Sequence, residues 1–441
     1  MLLACLAVAS PAQEAKPLED YRARREALRE NLDDGLIVLF GAEEGAGSEA
    51  YHLFRQENNF YYLTGLDEPD AVLLLSPPLR DRRSPPWEEF SRLPREILFL
   101  PPRDPDQEKW TGPKTDPYDD ATPARTGFAV VRGKESLESE IRRYAQGYGV
   151  IYTLLAGMHA SDTERLLAAE RMEKLRAIAP FAQVRDLRGA LAVQRQIKSE
   201  DEIERIRHAA ACTMEALRAA AREIKPGRFE YEIAALIKYT IERLGCERPS
   251  FAPIVASGPR ATILHYNRNR ERLQDGDLLL ADVGGESGYY AADITRTFPV
   301  NGRFSPRQRE IYEIVLGAQE AALKAVKPGA RLSGRGSGSL REIAYRYINS
   351  HGKDRHGEPL GKYFTHGLSH HVGLDVHDAA APGGVLQPGM VITVEPGLYL
   401  PEENLGVRIE DMVLVTEDGY VLLTATLPRR PDQIEALLQA P

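Results

Sequence analysis

The sequence predicts a mixed α/β (α+β) fold, in which helices and short strands alternate along most of the chain. One observation is that apolar runs of strand length, such as GLIVLFG and EILFLPP, stand beside charge-rich helical stretches such as EDYRARREALRENL. Another is that the chain of 441 residues is 43% hydrophobic and 27% charged. It is therefore long enough for two or three domains that each bury a core.

The N-terminal part is expected to form a smaller α/β domain over residues 15–187. A helix predicted at about 19–32 leads into the strand GLIVLFG, and the strands AVLLLSP and EILFLPP follow. Between the last two strands, the stretch at about 77–95 is rich in proline and arginine, which predicts an exposed loop insertion.

A boundary near residue 188 is expected to separate this domain from a larger one over residues 188–441. The second domain is predicted to begin with a loop and to continue as a long helix that ends at a Pro-Gly pair. Ser199 and Glu202 fit a capping box at the start of this helix. Further elements are expected downstream: helices at about 229–244 and 305–327, and a loop at 333–339.

Charge and cysteine content exclude several classes of protein. The formal net charge is −9 and the pI is about 5.7, which argues against a nucleic-acid partner or an anionic membrane surface. Three cysteines are too few for a disulfide framework, and Cys212 and Cys246 are expected to be buried thiols. No Walker loop and no strand–GxGxxG–helix unit is present.

The first residues read MLLACLAVASPAQEA, with a short apolar run and a small-residue triplet, Ala7-Val8-Ala9, of the kind that precedes signal cleavage. The basic residues that normally stand before such a run are absent. We therefore expect residues 1–14 to be a truncated signal peptide, which favours an exported or periplasmic location over the cytoplasm. No other stretch approaches the ~20 apolar residues of a membrane span.

Residues 277–298 (DLLLADVGGESGYYAADITRTF) have the pattern of a β-hairpin with an aspartate near each end. With the turn centred between Ser287 and Gly288, Asp282 and Asp293 would face each other across the two strands. Like charges in such a pair repel, so either the carboxylates share a proton or a cation lies between them. The alternative is a register shifted by one or two residues, with both aspartates solvated.

Three further polar stretches follow: THGLSHHVGLDVHD (365–378), VITVEPGLY (391–399) and LGVRIEDMVLV (405–415). Glu395 and Glu410 stand among β-branched residues, which predict burial, and buried carboxylates need partners. A salt bridge on the strand face that Glu410 shares with Arg408 is the alternative to a functional role for Glu410.

Two catalytic motifs are excluded in the histidine-rich stretch. His366 and His370 have the i, i+4 spacing of the zinc-binding HExxH helix, but Gly367 replaces the glutamate and Gly373 follows. The sequence GLSHH is not a GxSxG nucleophile elbow, which argues against Ser369 as a nucleophile.

The remaining candidate ligands are four carboxylates, from Asp282, Asp293, Glu395 and Glu410, and one histidine. Such an oxygen-rich set favours Mn²⁺, Mg²⁺, Co²⁺ or Fe²⁺ over a thiolate-bound structural zinc. Four negative charges exceed what one ion balances, whereas two ions about 3.5–4 Å apart would balance them and hold a bridging hydroxide as nucleophile. The residues therefore predict metal-assisted hydrolysis.

The order and local context of these residues resemble the dinuclear metallopeptidases of the pita-bread fold, and among them the Xaa-Pro aminopeptidases (aminopeptidase P) and the prolidases. The stretches that carry the resemblance are ILHY, DITRTFPVNG, HGLSHHVGLDVHD, TVEPGLY and VRIED. FRQENNFYYLTGLDEP (54–69) resembles the non-catalytic N-terminal domain of the same family. The resemblance implies a C-terminal pita-bread domain preceded by a smaller α/β domain.

The resemblance also implies a role for each residue. The metal ligands would be Asp282, Asp293, His370, Glu395 and Glu410, with Asp293 and Glu410 bridging both ions. Glu395 would also be the general acid/base. Three histidines that do not bind metal would surround the substrate: His265, His366 and His377. Arg408 would support that end of the site. The two divalent ions are expected to be Mn²⁺, with Co²⁺, Zn²⁺ or Fe²⁺ as alternatives.

The expected activity is that of a metallo-exopeptidase that releases the N-terminal residue from peptides with proline in second position. Proline lacks an N–H group and has a fixed φ, so a dedicated pocket for such bonds is physically sensible. A prolidase acting on Xaa-Pro dipeptides is the nearest alternative. A non-catalytic binding protein on the same scaffold and a metal-free creatinase-like hydrolase are two others. The resemblance further implies a homo-oligomer, a dimer or tetramer.

Overall fold

The computed structural model describes residues 18–44, 54–77, 92–157, 160–334 and 338–439. The predicted leader at 1–14 lies outside these residues, as do most of the predicted insertion at 77–95 and the centre of the 333–339 loop. By its contacts the chain divides into two compact units, which separate between Gln194 and Arg195. The predicted domain limits at 187 and 188 stay a prediction.

The N-terminal unit contains one six-stranded mixed sheet and helices packed against it. Its elements are α1 (Leu18–Asn31), β1 (Leu36–Phe40), α2 (Asn58–Thr64), β2 (Val72–Leu75), β3 (Glu96–Leu100), α3 (Glu108–Thr111), α4 (Thr122–Thr126), β4 (Val131–Gly133), α5 (Leu137–Ala145), β5 (Val150–Thr153), α6 (Asp162–Ile178) and β6 (Gln183–Asp186). The strand order is β4-β3-β2-β1-β5-β6. The predicted first helix and the three predicted strands are confirmed.

The elements that follow begin with α7 (Arg188–Arg195), where the sequence predicted a loop, so that prediction was wrong. The others are α8 (Glu200–Glu223), α9 (Glu230–Arg243), β7 (Arg248–Pro249), β8 (Ile254–Ser257), β9 (Leu278–Val283), β10 (Gly285–Ser287), β11 (Tyr290–Ala291), β12 (Ile294–Pro299), α10 (Pro306–Leu323), α11 (Leu340–His351), β13 (Val391–Val394), β14 (Gly397–Leu400), β15 (Leu405–Arg408), β16 (Asp411–Val415), β17 (Tyr420–Leu422) and α12 (Pro431–Leu438). In the described part of the chain, no helix is long and apolar enough to cross a membrane.

Helix α8 begins where the sequence predicted it. The Ser199 side chain accepts a hydrogen bond from the backbone N–H of Glu202, and the Glu202 carboxylate accepts one from the backbone of Ser199. This reciprocal capping box satisfies two N–H groups that have no partner inside the helix. The apolar stripe that includes Ile203 and Ile206 is buried.

Short antiparallel sheets form the framework of the C-terminal unit. Strands β8, β9 and β12 make one sheet in the order β12-β9-β8, and β13, β16 and β17 make a second in the order β13-β16-β17. Strands β14 and β15 form a two-stranded ribbon, and β10 pairs with β7 and β11. The segment Leu368–Val372 runs beside β13, because the N–H groups of Thr393 and Glu395 donate to the carbonyls of His370 and Leu368.

The predicted hairpin exists, but its register differs from the prediction. Asp282 of β9 pairs with Thr295 of β12, not with Asp293. The turn residues are Gly288 and Tyr289, both at positive φ (53° and 76°), one position later than predicted. Two-residue hairpin turns favour positive φ at both positions. A tyrosine rarely adopts positive φ, so the sequence did not indicate a turn at Tyr289. Because Asp293 precedes Thr295 by two residues, both aspartates still belong to the same face.

A buried ion cluster anchors the end of the histidine-rich segment. Asp378 accepts from Arg195 Nη2 at 2.5 Å and from Lys198 Nζ at 2.8 Å, and all three side chains are almost fully buried. Burial alone would raise the pKa of Asp378, but the charges of Lys198 and Arg195 lower it below its usual value. The backbone N–H of Asp378 donates to the carbonyl of His371, so the cluster also fixes the loop between these two residues.

We expect Asp378→Asn to lower the free energy of unfolding by about 3–5 kcal/mol at pH 7, because the buried Lys198 loses its counter-charge and the buried Arg195 is left with the half-exposed Asp375. A lowered folded-state pKa means that this contribution is complete above the unfolded pKa of about 3.9 and is lost as the pH falls through the folded value. Urea unfolding at several pH values measures both effects. Asp375→Asn is the matched control, because Asp375 also pairs with Arg195 but is half exposed. Equal losses in the two variants, or a difference that does not decrease as the pH falls below the unfolded pKa of about 3.9, would contradict the prediction.

Candidate metal centre

The hairpin places two aspartates in the interior of the C-terminal unit. Asp282 lies near the end of β9, and Asp293 immediately precedes β12. Both side chains are buried, with 8% and 5% of their surface exposed. The polar segment around Asp293 is held by Met412 of β16, whose sulfur accepts from the Asp293 backbone N–H.

The second sheet brings three more of the predicted residues to the same place. His370 is fixed by the Thr393 hydroxyl, which accepts from the His370 N–H at 3.2 Å. Glu395 follows β13 directly, and Glu410 lies in the short connection between β15 and β16. These positions lie about 70 to 110 residues after the end of the hairpin in sequence, so only the packing of the two sheets brings the side chains together.

Three of the predicted carboxylate ligands, Asp293, Glu395 and Glu410, each have an oxygen within 4.8 Å of His370. Nε2 of His370 is 3.4 Å from Oδ2 of Asp293 and 3.5 Å from Oε1 of Glu395. One ligand atom each of Asp293, His370 and Glu410 lies within 4.8 Å of the others. The negative charge of Asp282 also acts on Asp293 and Glu410.

The arrangement is electrostatically unfavourable without a cation. Burial, and after it the charge of Glu410, raises the pKa of Asp293 and that of Glu395 well above their usual values. Burial and the charge of Asp282 raise the pKa of Glu410 to about 7. Buried carboxylates at such distances repel one another unless a proton or a cation lies between them.

The oxygen atoms themselves fit a metal. Among the described residues, Oδ1 of Asp282 and Oδ1 of Asp293 are buried and have no hydrogen-bond partner. Buried acceptors without partners are rare in proteins, because desolvation of the group is then uncompensated. Carboxylate oxygens with one imidazole are donors that harder divalent ions prefer. The residues present therefore fit a divalent metal centre.

One end of the cluster is closed by a chain of hydrogen bonds. The Arg408 guanidinium forms an ion pair with Asp282, and its Nη1 donates to the Tyr399 hydroxyl at 2.8 Å. The Tyr399 hydroxyl lies 2.9 Å from Nε2 of His366. Nδ1 of His366 in turn lies 3.8 Å from Oε2 of Glu395. Burial and the Arg408 charge lower the pKa of His366 to about 4, so this imidazole is neutral at pH 7.

The other predicted histidines lie at two distances from the cluster. The His377 ring stacks on His370 with centroids 3.9 Å apart, and burial lowers its pKa to about 4. His265 is exposed, on the segment between Thr262 and β9, and its charge acts on His377. The structure thus brings His366 and His377 into contact with residues of the cluster, whereas His265 lies farther out, near His377.

Sequence reasoning missed two polar contributors. The Thr295 hydroxyl donates to Oε2 of Glu410 at 2.7 Å and accepts from Nε of Arg408 at 3.2 Å. Tyr399 links Arg408 to His366. A signal for the threonine was present, because Asp293, Thr295 and Thr297 alternate with period two and therefore belong to one strand face.

A buried carboxylate and imidazole cluster on this fold defines a metal-dependent hydrolase. The profile of metallopeptidase family M24 matches residues 204–417, and that of the aminopeptidase P N-terminal domain matches residues 21–152. An Xaa-Pro aminopeptidase of Escherichia coli is 35% identical, covering 96% of this chain and 98% of that protein. The chain belongs to metallopeptidase family M24.

Solved structures agree with this assignment. An aminopeptidase P from Bacillus anthracis superposes with a TM-score of 0.83 at 33% identity, covering 96% of this chain and 98% of the other. The Escherichia coli aminopeptidase P bound to the inhibitor Pro-Leu gives 0.80 at 33% identity and the same coverage. The predicted family is confirmed, and so is the prediction of a pita-bread domain that follows a smaller α/β domain in the sequence.

Proposed function

We propose that this protein is an Xaa-Pro aminopeptidase, a metal-dependent hydrolase that removes the N-terminal residue from peptides with proline second. The convergence of the hairpin carboxylates with His370, Glu395 and Glu410 carries the proposal, because it supplies the cluster that metal-assisted hydrolysis needs. Similarity to named Xaa-Pro aminopeptidases over both units supports the choice of substrate.

In this proposal, Asp282, Asp293, His370, Glu395 and Glu410 would hold two divalent ions. When bound, the ions supply Lewis-acid polarisation of the scissile carbonyl and lower the pKa of a water molecule. Mn²⁺ is the proposed metal, since four carboxylates and one imidazole form a ligand set of oxygen-preferring ions.

The chain's own residues handle the proton and the developing charge. Glu395 accepts the proton of the attacking water at its carboxylate and returns it to the leaving proline nitrogen. His377, stacked on His370, is positioned to donate to the oxyanion. His366 is neutral, and its two ring nitrogens pair with the Gly367 carbonyl and the Tyr399 hydroxyl, so it is positioned to contact the substrate. Arg408 holds Asp282 in place through their ion pair.

Product analysis by mass spectrometry tests the proposal directly. The full-length protein, loaded with Mn²⁺, is incubated with an Xaa-Pro dipeptide, an Xaa-Pro-Yaa tripeptide and an Xaa-Ala-Yaa control, with and without EDTA. EDTA-sensitive release of Xaa from the Xaa-Pro-Yaa peptide is the expected result. Cleavage of the dipeptide alone would make the protein a prolidase, and no metal-dependent cleavage would favour a binding protein.

We expect Glu395→Gln to lower kcat/KM on the tripeptide about 10²–10⁴-fold, because the amide accepts no proton at neutral pH. The circular dichroism spectrum should stay unchanged, since the substitution is nearly isosteric. Glu417→Gln, at an exposed position after β16, is the matched control and should retain full activity. Activity of Glu395→Gln within threefold of the parent protein would refute the proton-transfer role.

A further inference from the structure

A second group of metal-ligand side chains lies among the helices of the C-terminal unit, and the proposed peptidase activity does not use it. It consists of His208, Cys212 and Cys246. One ligand atom of each lies within 4.8 Å of the other two. Both thiols are buried and free, and the histidine is half-buried.

Helix α8 and the segment that follows α9 supply the three side chains of this cluster. His208 and Cys212 have i, i+4 spacing in α8, so their side chains lie on the same face of the helix. Cys246 follows the end of α9, after a turn in which Gly245 adopts a φ of 99°. The backbone N–H of Cys246 donates to the carbonyl of Ile241, which fixes the turn.

The orientation of the imidazole is determined by its outer partner. Nδ1 of His208 lies 2.9 Å from the Ser287 hydroxyl of β10, which leaves Nε2 for the thiols. Nε2 lies 3.9 Å from Sγ of Cys212. Typical Zn–N and Zn–S bonds in a tetrahedral site place N and S about 3.5 Å apart, so a small contraction would close the site. A hydrogen bond to the second imidazole nitrogen is the usual outer partner of a metal-binding histidine.

The packing beside the thiols also fits an ion. A Cβ atom at Gly285 would lie only 3.1 Å from Sγ of Cys246, so the glycine leaves room beside the sulfur. The Cys246 thiol donates a hydrogen bond to Cys212, which lowers the pKa of the Cys212 thiol and raises that of Cys246. The Cys212 sulfur also lies 3.9 and 4.0 Å from Nε2 and Nδ1 of His208, and 3.6 Å from the Leu244 carbonyl.

We propose that His208, Cys212 and Cys246 bind one Zn²⁺ ion at a site separate from the carboxylate centre. Its ligands are Nε2 of His208 and the two thiolates, with water in the fourth position. Binding releases the two thiol protons to solvent and involves no change of oxidation state. The ion joins α8 to the segment that follows α9, and the hydrogen bond between His208 and Ser287 connects it to β10, the strand that follows β9 and its Asp282. Soft thiolate ligands select such an ion over Mn²⁺ or Mg²⁺.

Cobalt substitution tests the site in the full-length protein. Co²⁺ bound to thiolates gives a sulfur-to-metal charge-transfer absorption, which the proposed carboxylate centre does not produce because it contains no sulfur. Protein stripped with EDTA and reduced with a phosphine is titrated with Co²⁺ and then with Zn²⁺. The variants are Cys212→Ser, Cys246→Ser and His208→Gln, and Cys5→Ser is the matched control.

The expected result is a charge-transfer band whose intensity at saturation corresponds to one thiolate-bound Co²⁺ per chain, and which disappears in both cysteine variants, weakens in His208→Gln and persists in Cys5→Ser. Zn²⁺ should abolish the band and slow the reaction of the two thiols with a disulfide reagent more than tenfold. Absence of the band in the parent protein, or its persistence in Cys212→Ser and Cys246→Ser, would overturn the proposal. Failure of peptide cleavage would leave it intact, because the readout is independent of activity.

Discussion

Asp293→Asn is expected to lower kcat/KM on an Xaa-Pro-Yaa peptide by on the order of 10³-fold or more, which corresponds to about 4 kcal/mol of transition-state stabilisation. Asp293 is fully buried, lies 3.4 Å from His370, and has an oxygen without a partner among the described residues. An asparagine amide lacks the negative charge that this position supplies. Metal content, measured after gel filtration, should fall in parallel.

The same substitution should stabilise the metal-free protein. Because the folded-state pKa of Asp293 is raised, its ionised form opposes folding as the pH rises above the unfolded pKa of about 3.9. The neutral amide removes the repulsion with Glu410 and Asp282. In EDTA at pH 7, we expect the unfolding midpoint of the variant to rise by ~2 °C or more.

A substitution that lowers activity but raises the stability of the metal-free protein distinguishes a metal ligand from a structural residue. Asp275→Asn is the matched control: this exposed aspartate accepts only from Asn301 near the base of the hairpin. It should leave both quantities unchanged. Lower apo stability in Asp293→Asn, or metal content equal to that of the parent protein, would refute the assignment of Asp293 as a ligand.

Asp411→Asn is expected to lower the free energy of unfolding by about 3–5 kcal/mol, or the unfolding midpoint by about 10 °C. Asp411 and Arg296 are both fully buried, and Nη2 of Arg296 donates to Oδ1 of Asp411 at 2.6 Å. Thr424 and Gln319 donate to the same carboxylate. Without the negative charge, the Arg296 guanidinium would remain buried without a counter-ion.

Activity should fall with stability in this variant. Nη1 of Arg296 donates to the backbone carbonyl of Glu410, so a displaced guanidinium would also move a proposed ligand. Asp432→Asn is the matched control, because Asp432 pairs with Arg309 at the surface and should change stability by less than about 1 kcal/mol. Thermal unfolding with an activity assay measures both. Similar small shifts in the two variants would contradict the prediction.

Several features could be predicted from the sequence because they depend on local chemistry. The capping box at Ser199 and the burial of Glu410 follow from residue types at fixed spacings. The face shared by Asp282 and Asp293 follows from the period of two along a strand. The predicted register was wrong by two residues, and a shift of two leaves each side chain on the same face. The resemblance to a known family added the roles proposed for these residues.

Other features depended on the tertiary structure, because they join residues far apart in sequence. The register of the hairpin depended on the positive φ of Tyr289, a conformation that its side chain gives no reason to expect. Neither the links from Arg408 through Tyr399 to His366 nor the approach of Cys246 to α8 can be read from spacing, since packing of separate elements creates both. Local patterns determine which side chains a segment carries and which face they share, whereas packing of the sheets and helices decides which faces meet.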